Sequence, residues 1–143
     1  MTLEQYYQLA QIGTFIATAG IAVIAWWELK QLRMQSRTAF EDGLTDEYRR
    51  IMKAIPTDIW MGSELKALKE EQQQGCRDAI FRYIDLSNEQ AFLQDQKRVT
   101  PETWRIWREG ILYNMALPAF GALWQEVAHK SPESFEFLRK LIP

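Results

Sequence analysis

The sequence has few of the residues that build catalytic, metal or disulfide sites. Its 143 residues include one cysteine, Cys76, and one histidine, His129. A single cysteine cannot form an intrachain disulfide, which favours a reducing compartment. One histidine and one distant cysteine cannot supply a set of zinc ligands, so we expect no metal and no cofactor. Since the sequence also has no glycine-rich phosphate loop and no serine elbow, it predicts a protein that is not an enzyme.

An excess of positive charge is also lacking. The chain has 17 basic and 19 acidic side chains and a formal net charge of -2. Duplex nucleic acid is therefore not an expected partner, because no global basic field attracts it. Nor does the sequence alternate apolar and polar residues for long enough to favour a strand, which predicts an all-α fold.

One long segment lacks charge altogether. It runs from Gln5 to Trp27, about 23 residues, and at about 1.5 Å per residue a helix of this length crosses a hydrocarbon core about 30 Å thick. Aromatic residues at both ends, including Tyr6 and Trp26, are typical of the two headgroup layers. A signal peptide fits less well, because no basic residue precedes the segment. The sequence predicts a transmembrane helix over about residues 6–27; a buried core helix is the alternative.

Basic residues follow this segment closely, whereas only Glu4 and the terminal amine precede it. This bias predicts an N-terminus outside a bacterial inner membrane and a cytoplasmic C-terminal part. The helix is expected to continue as a stalk to about Asp42 and Gly43, which gives an anchor over residues 1–43 and a helical domain over residues 44–143. The candidate contacts for anionic lipid headgroups are Lys30, Arg33, Arg37, Arg49, Arg50 and Lys53.

The predicted span has two faces that do not suit lipid. A polar face, which continues at coiled-coil spacing, carries Gln8, Gln11, Thr14, Thr18, Ala25 and Leu32. A face of small residues carries Gly13, Ala17 and Gly20. Two such faces need two neighbours, which predicts a homo-oligomer larger than a dimer. The alternative is a single helix that tolerates a few small and polar residues.

Proline and glycine divide the remaining sequence into short helices. We predict that they occupy residues 44–55, ending at Pro56, and residues 76–94, after a break at Gly75, with an exposed helix or arm over residues 63–74. Helix starts are expected at Thr100-Pro101-Glu102, at Pro118 and at Ser131-Pro132-Glu133. The apolar side chains expected to face inward are Cys76, Ile80, Tyr83, Ile84, Ala91, Trp104, Trp107, Ile111, Met115, Phe120, Leu123, Trp124, Val127, Phe135, Leu138 and Ile142.

Part of this domain resembles small bacterial single-pass membrane proteins of unknown function. The matching pattern is Tyr-Ile-Asp-Leu-Ser-Asn-Glu-Gln-Ala-Phe-Leu at 83–93, a polar turn at 94–99, Trp104-x-x-Trp107-x-x-Gly110-Ile111, Pro118-Ala119-Phe120 and Trp124. The resemblance implies an N-terminal transmembrane helix and a tryptophan-rich helical cytoplasmic domain. It implies no activity.

Basic and aromatic residues alternate around the start of the helix that follows Thr100. They are Lys97, Arg98, Trp104, Arg105, Trp107 and Arg108. Arginine beside an aromatic ring can hold a phosphate or a base, so these are candidate ligand contacts. The alternative is a solvated face over a tryptophan core. Asp85 and Glu89, one turn apart, support only a third hypothesis of acid-base chemistry.

The sequence therefore predicts a non-enzymatic, homo-oligomeric inner-membrane protein whose cytoplasmic domain binds a protein partner or an anionic small ligand. The alternative is a ligand-gated effector that permeabilises or depolarises the membrane, with the polar face of the span lining a pore. Accessory proteins of bacterial antiviral defence have a similar layout.

Overall fold

The computed structural model describes residues 2–142, apart from the side chains of Leu9, Arg37 and Thr38. Over these residues the chain is helical and has no strand, which confirms the predicted all-α class. The α-helices are α1 (Leu3–Ala54), α2 (Thr57–Trp60), α3 (Glu70–Asp95), α4 (Pro101–Met115), α5 (Pro118–Lys130) and α6 (Glu136–Leu141), and a 3-10 turn covers Leu65–Ala67. Contacts divide the chain after Phe40 into an N-terminal unit and a C-terminal unit.

The N-terminal unit is the first part of α1, and its large apolar side chains are exposed. Phe15 is 75% exposed and Ile16 is 68% exposed, and Trp26 and Trp27 are exposed as well. By length and composition alone, α1 is the one helix among the described residues that is able to cross a membrane. The predicted apolar N-terminal helix is therefore present.

Helix α1 does not end near Gly43, as the sequence led us to expect, but continues to Ala54. A glycine inside a helix costs about 1 kcal/mol relative to alanine. Leu44, Ile51 and Ile55 follow at helical spacing and are buried, and burial of one such side chain contributes about 1.5–3 kcal/mol. Packing therefore outweighs the glycine, and the helix stops only before Pro56, which cannot donate a helical hydrogen bond.

Helix α3 likewise passes through Gly75, so the predicted break there is wrong. Its first turn starts at Glu70, and the preceding segment is not a fully exposed arm, because Leu68 is buried and its carbonyl accepts a hydrogen bond from Gln73 Nε2 at 3.0 Å. A side chain at Gly75 would meet no atom within 4 Å. Nothing at this position forces the chain out of the helical conformation.

The core of the C-terminal unit forms around α3. Tyr83 and Phe120 pack edge to face with ring centroids 5.3 Å apart, and the Trp60 ring packs against Phe120 at a tilt of 45° with centroids 5.0 Å apart. The predicted inward residues of α5 are buried, as are Ile111 and Met115 of α4. Trp104 and Trp107 are only partly buried. The predicted core is thus largely confirmed, with the tryptophans of α4 at its edge.

The last helix starts later than the sequence indicated. Instead of beginning at Ser131-Pro132-Glu133, α6 begins at Glu136, after Phe135 has taken a left-handed conformation with φ of 58°. Asn88 Oδ1 on α3 accepts hydrogen bonds from the backbone N–H groups of Phe137 and Leu138, both at 3.1 Å. A distant side chain therefore caps α6. Ile142, expected in this helix, follows its end and is half-buried.

Candidate functional site

A cavity of about 480 Å³ lies within the C-terminal unit, between α1, α3 and α4. Helix α1 contributes Glu41, Asp42, Thr45 and Tyr48, which share one face because Thr45 follows the adjacent Glu41 and Asp42 by four and three residues, and Tyr48 follows Thr45 by three. Helix α3 contributes Tyr83 and Gln90, two turns apart, and α4 contributes Thr103, Ile106, Trp107, Gly110 and Ile111. Each of the three helices thus contributes side chains from one of its faces to the cavity wall.

Tyr83 forms the part of the wall nearest the core. Its phenolic oxygen accepts a hydrogen bond from Asn114 Nδ2 at 2.9 Å, and its O–H points to the Gly110 carbonyl at 3.5 Å. The Tyr48 ring lies 6.2 Å from the Tyr83 ring, centroid to centroid. Burial is the main cause that raises the pKa of Tyr83 to about 12. The phenol therefore stays neutral and acts by hydrogen bonding rather than by proton transfer at ordinary pH.

Gln90 is the unusual polar residue of the cavity. Its side chain is 95% buried and lines the cavity, yet no group in the described part of the chain hydrogen-bonds its amide. Over residues 2–142 the fully buried side-chain polar atom without a partner is Trp60 Nε1, so the Gln90 amide atoms still have surface open to the cavity. The Gln90 amide is therefore available to a molecule inside the cavity.

Two carboxylates stand at the rim. Glu41 is held in place by the start of α4, because its two carboxylate oxygens accept hydrogen bonds from Thr100 N at 3.2 Å and Thr103 Oγ1 at 3.0 Å. Asp42 is exposed, and no ion pair to it is found over the described residues. The cavity lining includes no lysine, arginine or histidine. The lining therefore carries negative charge from two carboxylates and aromatic surface from its rings.

The predicted basic and aromatic ligand residues do not share one surface with this cavity. Of the six, Trp107 lines it. Arg105 pairs with Glu109 at 3.2 Å on an exposed face of α4, and Arg108 is also exposed. Lys97, with φ of 54°, and Arg98 lie in the turn after α3. Trp104 is partly buried. Binding of an anionic ligand by these six residues stays a prediction.

The predicted lipid-contact residues have varied surroundings. Arg49 and Arg50 pair with Asp46 and Glu47 one turn earlier, at 3.3 and 3.4 Å, while Lys53 is exposed. In the N-terminal unit the Lys30 ammonium lies 5.5 Å from the centre of the Trp26 ring, and Arg33 is exposed. The Arg37 side chain lies outside the described residues.

The two faces predicted for self-association are exposed along α1, including Ala17, Ala25 and Leu32. A side chain at Gly13 or Gly20 would meet no atom within 4 Å. Thr14 Oγ1 donates to the Ala10 carbonyl at 2.9 Å and Thr18 Oγ1 donates to the Thr14 carbonyl at 2.8 Å. The two threonine hydroxyls are therefore satisfied within their own helix, whereas the exposed Gln8 and Gln11 amides have no such bond among the described residues.

The geometry gives little support for acid-base, thiolate or metal chemistry. Asp85, Glu89 and His129 are exposed. Cys76 is buried, and burial raises the pKa of its thiol, which makes the thiolate scarce. Over residues 2–142 no group of three or more histidine, cysteine, aspartate or glutamate side chains could hold a metal ion.

Most of the cavity residues were not singled out from the sequence. The sequence predicts a stalk that ends near Gly43 and a separate helix from residue 44, which divides Glu41 from Thr45 and Tyr48. Gln90 follows Glu89, and an acidic residue usually indicates a position exposed to solvent. The available signal was spacing, since Thr103, Trp107 and Gly110 also repeat at three or four residues. Spacing alone does not show which polar stripes face one another.

Comparison of this chain with protein families, with curated proteins and with solved structures finds no match.

Proposed function

We propose that this chain is a non-enzymatic, membrane-anchored binding protein that takes up a small molecule in the cavity between α1, α3 and α4. The observation that carries this proposal is Gln90, a residue that is 95% buried and lines the cavity, and whose amide has no hydrogen-bond partner among the described residues. Because the amide atoms have surface open to the cavity, a ligand that enters can hydrogen-bond them in place of solvent. The volume of about 480 Å³ falls within the range of about 300–1,000 Å³ for small-molecule sites.

In this proposal, residues 6–27 of α1 are the anchor in a bacterial inner membrane, with the N-terminus outside and the ligand-binding unit in the cytoplasm. The exposed apolar side chains of this segment support the anchor, because lipid is the solvent that suits them. The basic residues Lys30 and Arg33 support the orientation.

Self-association into an oligomer larger than a dimer completes the proposal. It is supported by the exposed amides of Gln8 and Gln11, which in lipid must find partners outside their own helix. Gly13, Ala17 and Gly20 add a face where another helix backbone can approach closely. The face with the glutamine amides contacts one neighbouring copy of the helix, and the face of small residues contacts a second copy.

Filling the cavity tests the binding function directly. Gly110 lines the cavity, and a Cβ added there meets no atom within 4 Å, so we expect the leucine side chain of Gly110→Leu to occupy cavity space. We expect the full-length variant in nanodiscs to fold and to lose binding of a neutral aromatic probe, 2-phenylethanol, by at least tenfold. Isothermal titration calorimetry measures the affinity, and circular dichroism checks the helix content.

Gly75→Leu is the matched control. Gly75 also lies inside a helix with open space around it, and both substitutions improve helix propensity by a similar amount, about 1 kcal/mol. The control should bind the probe as the wild type does. Equal binding by wild type and Gly110→Leu would contradict a ligand site in this cavity.

A second candidate function is a ligand-gated pore lined by the polar face of α1, and the exposed glutamine amides favour it as well. Gln11→Leu separates the two functions. In the binding protein we expect weaker self-association, by a few-fold to about tenfold for one interhelical hydrogen bond, and no effect on membrane potential. In the pore, overexpressed wild type depolarises cells and Gln11→Leu does not. Ile12→Leu, on the lipid-facing arc, is the control for both measurements.

A further inference from the structure

We propose that the ligand of this cavity is a small organic cation, an aromatic or alkyl amine in its ammonium form, with its charge at the rim near Glu41 and Asp42. This inference rests on the proposed binding function and assigns the chemical class of the ligand. The acidic rim alone does not define a site. The independent observation is Gln90, a residue that is 95% buried on the cavity wall and whose amide has no partner within the described part of the chain.

The charges of the lining favour a cation over an anion. Two carboxylates and no basic side chain line the cavity. Glu41 already accepts two hydrogen bonds from the start of α4, where its charge offsets the partial positive charge of the helix N-terminus. The exposed carboxylate of Asp42 has no such compensation in the described structure. A positive group at the rim meets uncompensated negative charge, whereas an anion is repelled.

The walls favour an organic cation over a metal ion. Tyr48, Tyr83 and Trp107 line the cavity together with Ile106 and Ile111. Aromatic faces attract ammonium groups through their quadrupole and also pack against apolar carbon. Two carboxylates are too few for a metal site of the usual kind, and no group of three or more candidate ligand side chains is found in residues 2–142. The combination suits a molecule that has an apolar body and one positive end.

The neutral hydrogen-bonding groups complete the site. The Gln90 amide offers one carbonyl oxygen that can accept from an N–H group and two N–H donors. The Tyr83 oxygen already accepts a hydrogen bond from Asn114, and its own proton has only the Gly110 carbonyl at 3.5 Å. Both groups can hydrogen-bond the polar group of a ligand inside the cavity.

Three probes of similar size and different charge test this assignment: 2-phenylethylammonium, 2-phenylethanol and 3-phenylpropionate. Each is titrated into the full-length protein in nanodiscs of zwitterionic lipid at pH 7, with Gly110→Leu as the blank for partition into lipid. We expect the ammonium probe to bind about tenfold more tightly than the alcohol, and the carboxylate to bind most weakly. The preference for the ammonium probe should decline as salt is raised, because the rim is exposed to solvent.

Asp42→Asn is expected to reduce the preference for the ammonium probe several-fold and to leave the affinity for the alcohol unchanged. Asp85→Asn, the same change at an exposed position of α3 outside the cavity, should alter neither. Gln90→Leu should weaken the ammonium and alcohol probes together, because both lose the same amide.

The outcomes separate this inference from the proposed function. Binding of the alcohol as tight as that of the ammonium probe, or a preference for the carboxylate, overturns the cationic class and leaves a ligand-binding cavity. A preference that persists in Asp42→Asn overturns the role of the rim. No binding of any probe by the wild type overturns both the inference and the binding function.

Discussion

The Tyr83 phenol lies where the cavity meets the core. Its ring packs against Phe120, while its oxygen accepts the hydrogen bond of the buried Asn114 amide. Burial raises its pKa from 10.0 to about 12. The folded protein therefore holds the phenolic proton more tightly than the unfolded chain does, and this residue contributes stability that depends on pH.

Tyr83→Phe should destabilise the protein by about 1–3 kcal/mol at neutral pH, because it leaves the Asn114 amide buried without its acceptor. A group whose folded pKa is raised stabilises fully below its unfolded pKa and loses that contribution as pH rises through its folded pKa. The stability difference between wild type and variant should therefore shrink between pH 10 and about pH 12. Chemical denaturation across this pH range measures it.

Tyr113→Phe is the control for this prediction. Tyr113 also lies on α4 but is 68% exposed, so removal of its hydroxyl should change stability by less than about 0.5 kcal/mol. A constant difference between wild type and Tyr83→Phe from pH 8 to pH 12 would show that Tyr83 does not titrate with a raised pKa.

The sequence predicted the inward position of Tyr83 but not that of Gln90. Tyr83 shares a helical stripe with Ile80 and Ile84, which are both buried, and apolar periodicity identifies such a stripe. Gln90 follows Glu89, an exposed residue, and glutamine is a side chain usually found at the surface. Its burial depends on how α1 and α4 pack against α3, and the local sequence pattern does not predict that packing.

At the scale of helices, the predicted starts at Thr100-Pro101-Glu102 and at Pro118 are confirmed, whereas the predicted start at Ser131-Pro132-Glu133 is wrong. Thr100 forms the predicted cap of α4, since its hydroxyl oxygen accepts from Thr103 N at 3.2 Å and Pro101 follows. Ser131-Pro132-Glu133 has the same residue types, yet α6 starts later because Asn88 on α3 supplies the acceptor. Gly43 and Gly75 failed as stop signals because buried residues that follow each of them, such as Leu44 and Cys76, outweigh the cost of the glycine.

These two sequence-similar segments give a matched test of helix capping. Thr100→Ala removes the α4 cap and should lower stability by about 1 kcal/mol. Ser131→Ala should change stability by less than about 0.5 kcal/mol, because the Ser131 hydroxyl caps no helix in the described structure. Thermal denaturation of both variants in one detergent measures the contrast, and equal losses would contradict the assignment of the caps.

For the whole molecule, the proposed orientation has a direct chemical test. Cys76 is buried and burial raises its thiol pKa, so it should react slowly with maleimides. In spheroplasts, an impermeant maleimide should label Thr2→Cys and should label Glu133→Cys only after the membrane is permeabilised. Both native residues are exposed. Labelling in the opposite pattern would reverse the orientation, and labelling of neither residue until the membrane is permeabilised would place both ends on the inner side and exclude a single membrane span.

The bond from Asn88 to α6 also bears on biosynthesis. The acceptor precedes the backbone N–H group of Phe137 by 49 residues, so α6 cannot be capped until Phe137 and Leu138 have been synthesised. Arg139, which donates to the carbonyls of Ala128 and Ser131, arrives later still. The residues of α3, α4 and α5 are therefore synthesised before the segment that completes their packing, and a chain truncated before Phe137 would leave this surface of α3 open.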